Sequence, residues 1–477
     1  MCGIAGIFNF MGNDVSRQLK HMLQCLLHRG PDGSGVIIDD KVAYGQLDKI
    51  IFPSGSIGIG HNRLRIIGEG LQPIPNENED LWLVHNGEIY NYLELRAILN
   101  KHVFRTNMNS ETILHAFEEK KLDLLDGNYA FAIYDRSNER IEIYRDAVGI
   151  RPLFYCLKND LFAFASERKA LKQVCDITKR LNPGYRIIVE HDGVSEEKFD
   201  DIESTGILPI RKLEEAENNL RRALERAVEK RIYESIGILF SGGIDSSIIA
   251  KIGSYYTRDM ILLVAGLVNS PDIKRAREAA EKLGIELQEA IITEEEAIEL
   301  FYKVVKIVDE PNPLKALIGI PVYVATKKAK ELGLRVILSG QGADELFGGY
   351  AKYLRVSNLE EALINDLRNI HQTNLERDDH CAMMNSVEIR VPYLDREVIR
   401  VALSIPTEYK IKNGVRKWIL RRVGRLIGLP KDIISYEKKA IQYGSGVVRV
   451  LKRYSKRKKK SLKELAHEAF LLENNSE

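Results

Sequence analysis

A chain of 477 residues with 70 Lys+Arg against 68 Asp+Glu has a formal net charge of only +2, which argues against a dedicated nucleic-acid binder, because those carry a clear basic excess. Its 44% hydrophobic content suits ordinary globular cores and is too high for general disorder, in a chain long enough for roughly two to four domains. No apolar run approaches the ~18 residues of a membrane span, and the N-terminus lacks the basic-then-apolar pattern of a secretory signal. The five cysteines (Cys2, Cys25, Cys156, Cys175 and Cys381) form no CxxC pair, so reduced thiols in a cytoplasmic protein are expected, with neither a disulfide framework nor a cysteine zinc site.

The first segment is Met1-Cys2-Gly3-Ile4-Ala5-Gly6-Ile7-Phe8. With the initiator Met removed, Cys2 would carry a thiol and an α-amine, a nucleophile and a base on one residue. The same cysteine also reads as a small hydrophobe opening a core strand. Up to about residue 190, short apolar stretches (Val36–Ile38, Ser56–Gly60, Leu81–His85, Tyr129–Tyr134, Ile141–Tyr144) are bounded by Gly, Asn and Asp turns and read as strands. Helical spacing appears at Val15–Leu27 and from Ser110 to about Lys120. This mixture predicts an α+β layered domain over residues 1–190.

Residues 191–212 are polar, with Gly and Pro breaks, and read as a linker. A charged amphipathic helix is expected over Leu213–Lys230, then a buried strand at Ile236–Phe240 followed by a Gly/Ser-rich turn and a helix. Ile261–Leu267 and Val336–Leu338 repeat the pattern. Apolar strands alternating with helices predict a parallel-sheet α/β domain over 213–446. Residues 447–477 read as a basic C-terminal tail, with Lys452–Lys460 as solvated surface ahead of a helix to about Leu472.

Chemistry concentrates in Ser241-Gly242-Gly243-Ile244-Asp245-Ser246-Ser247. Glycines let backbone N–H groups converge, hydroxyls add donors, and the following helix presents its positive end, all of which suits phosphate. Asp245 would repel a phosphate unless a divalent cation lay between them, so Mg²⁺ is implied alongside nucleotide. No Walker loop is present. A second loop, Ser339-Gly340-Gln341-Gly342-Ala343-Asp344, follows the third strand. In a parallel sheet both loops lie at one edge, making Asp344 a second carboxylate for the metal. Lys315, Lys438 and Lys439 are candidate phosphate partners.

These residues resemble the glutamine-hydrolysing asparagine synthetases. The phosphate loop looks like that of the ATP pyrophosphatases. The N-terminal motifs resemble class II, N-terminal-nucleophile glutamine amidotransferases, with an αββα sandwich fold: Cys2-Gly3-Ile4-Ala5-Gly6, His28-Arg29-Gly30-Pro31-Asp32, His61-Asn62-Arg63-Leu64, Asn86-Gly87-Glu88-Ile89-Tyr90-Asn91, Arg145 to Leu153, and Ala165-Ser166-Glu167. The match spans about residues 2–446. By this resemblance Cys2 forms a glutamyl thioester and releases ammonia, Asn86 and Gly87 make the oxyanion hole, Arg63 holds the glutamine α-carboxylate, and Glu88 and Asn109 face its α-amine. Ser241, Gly242, Gly243, Asp245, Ser246 and Ser339 would bind ATP, with Leu239, Ala265 and Gly340 at the adenosine. Asp245 and Asp344 would hold Mg²⁺, and Lys438 would neutralise departing pyrophosphate. Aspartate would be adenylated and then amidated by ammonia delivered through an apolar channel that keeps it unprotonated. The resemblance also admits a homodimer.

Two positions depart from the family pattern. Asn109 stands where an Asp is usual, keeping a hydrogen bond but losing a charge. Gln341 stands where a carboxylate normally takes a proton as ammonia attacks, and an amide is no base near neutral pH. Residues Asn312–Gly319 also lack the polar set common at the aspartate site. Related readings are therefore an amidotransferase acting on another carboxylate, or a nucleotide- or glutamine-binding regulator.

Overall fold

Gly3–Asn9 is a strand whose alternate side chains serve two cores: Ile4 and Phe8 face one, Ala5 and Ile7 the other. In the computed structural model, which describes residues 2–202, 209–436 and 441–474, this strand sits at the middle of an antiparallel seven-stranded sheet. The order is Lys179–Arg180, Phe154–Lys158, Leu161–Ala165, Gly3–Asn9, Ile57–Asn62, Ser34–Ile38, Lys41–Gly45. A second antiparallel sheet runs Gly193–Lys198, Tyr185–Glu190, Arg140–Arg145, Gly127–Asp135, Leu81–Ile89, Ile74–Pro75. Phe8, Ile59, Phe162 and Phe164 of the first sheet pack with Trp82, Val84, Ala132 and Ile143 of the second. Helix Ser16–Cys25 buries Leu19, Met22 and Leu23 on the outer side of the first sheet. Helix Glu111–Glu118 buries Ile113, Leu114 and Ala116 against Leu83, Phe131 and Ile133 of the second. Helix, sheet, sheet, helix is the layering that the amidotransferase resemblance implies.

The chain divides into two units, Met1–Ile202 and Glu203–Glu477. In the second, five parallel strands lie in the order Leu287–Ile292, Met260–Leu267, Ile236–Leu239, Val336–Leu338, Glu388–Arg390. Chain order reverses between Ile236–Leu239 and Val336–Leu338. The carboxyl ends of the strands flanking such a reversal leave a crevice for ligands, and the Ser241 and Ser339 loops leave the sheet there. Helix Pro271–Leu283 begins with Pro at its first turn and ends on Gly284 at φ 66°, the arrangement that pre-sets one end and satisfies the other.

Three expectations change. Gly193–Lys198, inside the stretch read as a linker, pairs with Tyr185–Glu190 as an edge strand. Its mostly exposed charges disguise it, as charges on edge strands commonly do. The basic run lies on helix Val447–Lys458, whose Val447, Val448, Val450 and Leu451 are buried; with Leu462–Asn474 it packs on helix Glu294–Ile307. The expectation that every cysteine is reduced is also overturned: Cys156 and Cys175 form a disulfide, brought together where Phe154–Lys158 and the segment after Arg168–Leu171 meet the same apolar core.

Candidate functional site

In the first unit Cys2 is buried at the start of its strand. Its backbone N–H donates to Asn86 Oδ1 at 3.0 Å, and Arg29 Nε donates to its carbonyl at 3.1 Å. Asn86 is fully buried in strand Leu81–Ile89, yet its Nδ2 has no hydrogen-bond partner among the described residues. A buried amide donor left over in this way costs free energy unless a ligand completes it. Gly87 follows with φ 154°, and a Cβ there would strike the Asn128 carbonyl and come within 2.8 Å of Tyr129 Cα. Only glycine fits between the paired strands at this point.

Arg63 donates to the carbonyls of Gly68 at 2.6 Å and Ile67 at 3.3 Å, and burial draws its pKa down. It lines a cavity of about 680 Å³ shared with Asp32, Arg65, Glu69, Arg105 and Thr106. Asn109 Nδ2 donates to Glu88 Oε1, both side chains being buried. The two residues expected at the glutamine α-amine are thus in contact, and the amide at 109 spares Glu88 a second carboxylate beside it.

In the second unit, strand Ile236–Leu239 delivers the phosphate loop and helix Ile244–Gly253 starts within it. Gly242 takes φ 66°, and a Cβ there would approach the Arg275 carbonyl at 2.7 Å. Gly243 caps the helix. Leu239, Ser241, Asp245, Ser246, Ala265, Ser339, Gly340 and Asp344 all line one cavity of about 570 Å³. Lys315 instead ion-pairs with Glu310 at 2.8 Å, and Asn312 caps helix Pro313–Glu331 through its Oδ1. Lys438 and Lys439 lie outside the described residues.

The sequence gave no warning of Lys417. Its Nζ lies 2.7 Å from Asp245 Oδ2 and 2.7 Å from Asp344 Oδ1, bridging the two carboxylates expected to hold a cation. Burial opposes its charge, but the two carboxylates outweigh this and raise its pKa above the usual lysine range. Asp245 Oδ1 is buried and has no hydrogen-bond partner among the described residues, so the pair retains oxygen donors of the kind Mg²⁺ prefers. Glycine is required at 349, where a Cβ would collide with Asp344 Oδ1 and Lys417 Cε. Burial, with Asp344 nearby, pushes the Glu345 carboxyl up to about 7.

Gln341 Nε2 donates to Asp378 Oδ2 at 2.6 Å, and Arg377 Nε donates to Asp378 Oδ1 at 2.8 Å. A π-helical turn, His371–Leu375, joins helices Leu359–Ile370 and Glu376–Met383; Asn374, Arg377 and Asp378 line the same cavity as Gln341. Single π turns recur at functional sites because they re-aim the residues that follow. The buried run Glu376-Arg377-Asp378-Asp379 is the sequence signal that was overlooked, because consecutive charges are seldom buried without a purpose.

Residues 1–48 and 45–186 match the glutamine amidotransferase domain family, and residues 219–361 and 351–474 match the asparagine synthase family. A Methanocaldococcus jannaschii protein named "Putative asparagine synthetase (glutamine-hydrolyzing) 1" is 42% identical, covering 96% of this chain and 97% of its own. The asparagine synthetase (glutamine-hydrolyzing) of Sandersonia aurantiaca is 31% identical over 94% of this chain and 87% of its own. Among solved structures, the B. subtilis glutamine phosphoribosylpyrophosphate amidotransferase complexed with ADP and GMP is 17% identical with a TM-score of 0.38, covering 93% of this chain and 96% of that one. Among the described residues no helix is long and apolar enough to cross a membrane. On the strength of both family matches and the end-to-end relatives, the chain belongs to the family of glutamine-hydrolysing asparagine synthetases.

Proposed function

We propose that the protein is a cytoplasmic ATP-dependent ligase that hydrolyses glutamine at Cys2, adenylates the β-carboxylate of aspartate with release of pyrophosphate, and converts the adenylate to asparagine and AMP. The observation that carries the glutaminase half is Asn86. Its Oδ1 already accepts from Cys2, so its unpartnered Nδ2 is the donor left to meet the oxyanion formed when the Cys2 sulfur adds to the glutamine amide. Such preorganised donors stabilise the charge that develops in the transition state. Collapse of that adduct expels ammonia and leaves a thioester, which water then hydrolyses. Arg63 would receive the α-carboxylate. Glu88, already hydrogen-bonded to Asn109, would receive the α-ammonium.

In the second unit the Ser241–Ser247 turn and the start of helix Ile244–Gly253 would cradle the ATP phosphates, with Leu239, Ala265 and Gly340 against the adenosine. Asp245 and Asp344 would hold Mg²⁺, which neutralises phosphate charge and favours departure of pyrophosphate. Lys417, held between the same carboxylates, supplies a fixed positive charge in the cavity, and Lys438 would add another. Gln341 cannot take the proton that ammonia loses on attack. Asp378, bonded to the Gln341 amide and to Arg377, places a carboxylate one side chain away, and we assign the proton to it.

The deciding experiment follows pyrophosphate release from protein, ATP, Mg²⁺ and glutamine, with and without aspartate. Aspartate-stimulated release with asparagine formed in equal amount is expected. Release that requires a different acid, with aspartate inert, would overturn the choice of acceptor.

A further inference from the structure

Away from both cavities, the first unit gathers four side chains that neither half-reaction uses. Glu77 comes from the turn after Ile74–Pro75, His102 from the segment after helix Tyr92–Ile98, and His115 and Glu118 from one face of helix Glu111–Glu118. One donor atom from each lies within 4.8 Å of all the others. His102 Nδ1 is 3.1 Å from Glu77 Oε1 and 3.6 Å from Glu118 Oε2; His115 Nδ1 is 2.8 Å from Glu118 Oε2 and 3.6 Å from Glu77 Oε2. Four donors about 2.0–2.1 Å from a tetrahedral zinc ion stand about 3.3 Å apart, and these four separations bracket that value.

We propose that Glu77, His102, His115 and Glu118 form a binding site for a zinc-like divalent cation in the glutaminase unit. Two imidazoles and two carboxylates are a donor set that such ions favour. The surroundings orient the ligands. His115 is almost fully buried, and its other nitrogen, Nε2, has no hydrogen-bond partner but faces Glu111 Oε1 at 3.8 Å; metal-bound histidines commonly direct their remaining N–H toward a carboxylate. Asn76 Nδ2 donates to Glu118 Oε1 at 2.9 Å, and the Val103 N–H donates to Glu77 Oε1 at 3.0 Å.

Charge points the same way. Glu119 pairs with Lys121, and Glu111 with Arg96, which leaves Glu77 and Glu118 as the two carboxylates that a divalent ion would balance. The His102 and His115 rings are stacked with centroids 4.4 Å apart, a position in which two imidazolium cations repel and two neutral, metal-bound rings do not. The ion would tie three segments together. One of them is the helix that starts just after Asn109, so the site would brace the wall of the glutamine pocket.

The test uses the full-length protein, stripped with a chelator, equilibrated with Zn²⁺ in excess Mg²⁺ so that the Asp245–Asp344 pair is occupied by the competitor, and then dialysed. Wild type should retain about one zinc per chain and melt at a higher temperature than the stripped form, as expected of an ion that binds only the folded state. Co²⁺ in place of Zn²⁺ should give the visible absorption of tetrahedral coordination. His102→Gln and Glu118→Gln, two partly exposed positions, should each lose the retained zinc and the thermal gain; either variant alone decides if the other does not fold. No zinc retained by wild type, or the same amount retained by a folded variant, would overturn the proposal.

Discussion

Replacing Asn86 with aspartate alters one atom at the glutaminase centre and keeps the shape of the side chain. The oxygen that accepts from the Cys2 N–H at 3.0 Å survives. The buried Nδ2 that has no partner becomes a second carboxylate oxygen, so a donor aimed at the oxyanion turns into a repelling charge. Loss of a single oxyanion donor costs about 2.7–4 kcal/mol, a fall of about 10²–10³ in kcat, and the new charge can only add to it. Asn86→Ala removes the donor without adding charge but also frees the Cys2 N–H, worth about 1 kcal/mol more. Both variants are assayed twice: for glutamate released from glutamine, and for pyrophosphate released with ammonium replacing glutamine. The first activity should collapse in both variants and the second should stay near wild type, which also serves as the control for folding. A folded Asn86→Asp enzyme that retained a third or more of its glutaminase rate would refute the assignment of the oxyanion hole.

Other expectations are as direct. Asp378→Asn should leave ATP binding intact but lower the ammonium-dependent synthetase rate by about 10²-fold or more, the usual worth of a proton acceptor; an unchanged rate would return that role to another group. Lys410 is buried, and burial lowers its pKa from 10.5 to about 8 while Glu360 partly opposes the shift. Between those values the unfolded chain holds the proton that the folded chain lacks, so this residue's penalty is full near neutral pH and fades as pH rises from about 8 to 10.5. Lys410→Met should therefore raise the thermal midpoint near pH 7, by up to about 3 kcal/mol of stability, and help less at alkaline pH; an equal gain at both would mean that charge burial is not the cause. For the Cys156–Cys175 disulfide, thiol counting in denaturant should find the three remaining cysteines, and removal of a cross-link spanning 19 residues should cost about 3 kcal/mol. Five titratable thiols in unreduced protein would show that the bond does not form.

Much of the chemistry was written locally. The Ser241–Ser247 turn, the buried strand before it and the Asn86-Gly87-Glu88 run are contiguous, and contiguous motifs survive being read without a structure. Lys417 and Asp378 are different, because each reaches the ATP cavity from far along the chain and neither belongs to a motif. The first comes from the residue preceding helix Trp418–Leu426, in a left-handed conformation at φ 55°; the second depends on a π turn that no hydrophobic periodicity marks. The edge strand Gly193–Lys198 and the helix under the basic run escaped for one reason. Their exposed faces are charged, and the apolar side that fixes the helix, Val447, Val448, Val450 and Leu451, is sparse enough to be masked by lysines and arginines. The Cys156–Cys175 pairing could not be read from spacing, since the two residues meet through packing of a strand and a 3₁₀ turn on a shared core.

The π turn at His371–Leu375 amounts to one extra residue wound into an otherwise continuous rod. Each residue of an α-helix advances the azimuth by about 100°. Deleting Thr373 would let the rod close into regular helix, and everything after it would rotate by about that angle. Arg377 and Asp378 would then swing off the wall beside Gln341, while the apolar residues behind them would be forced toward the cavity. A single-codon deletion there would therefore act as a compass error: every catalytic side chain present, each pointing the wrong way.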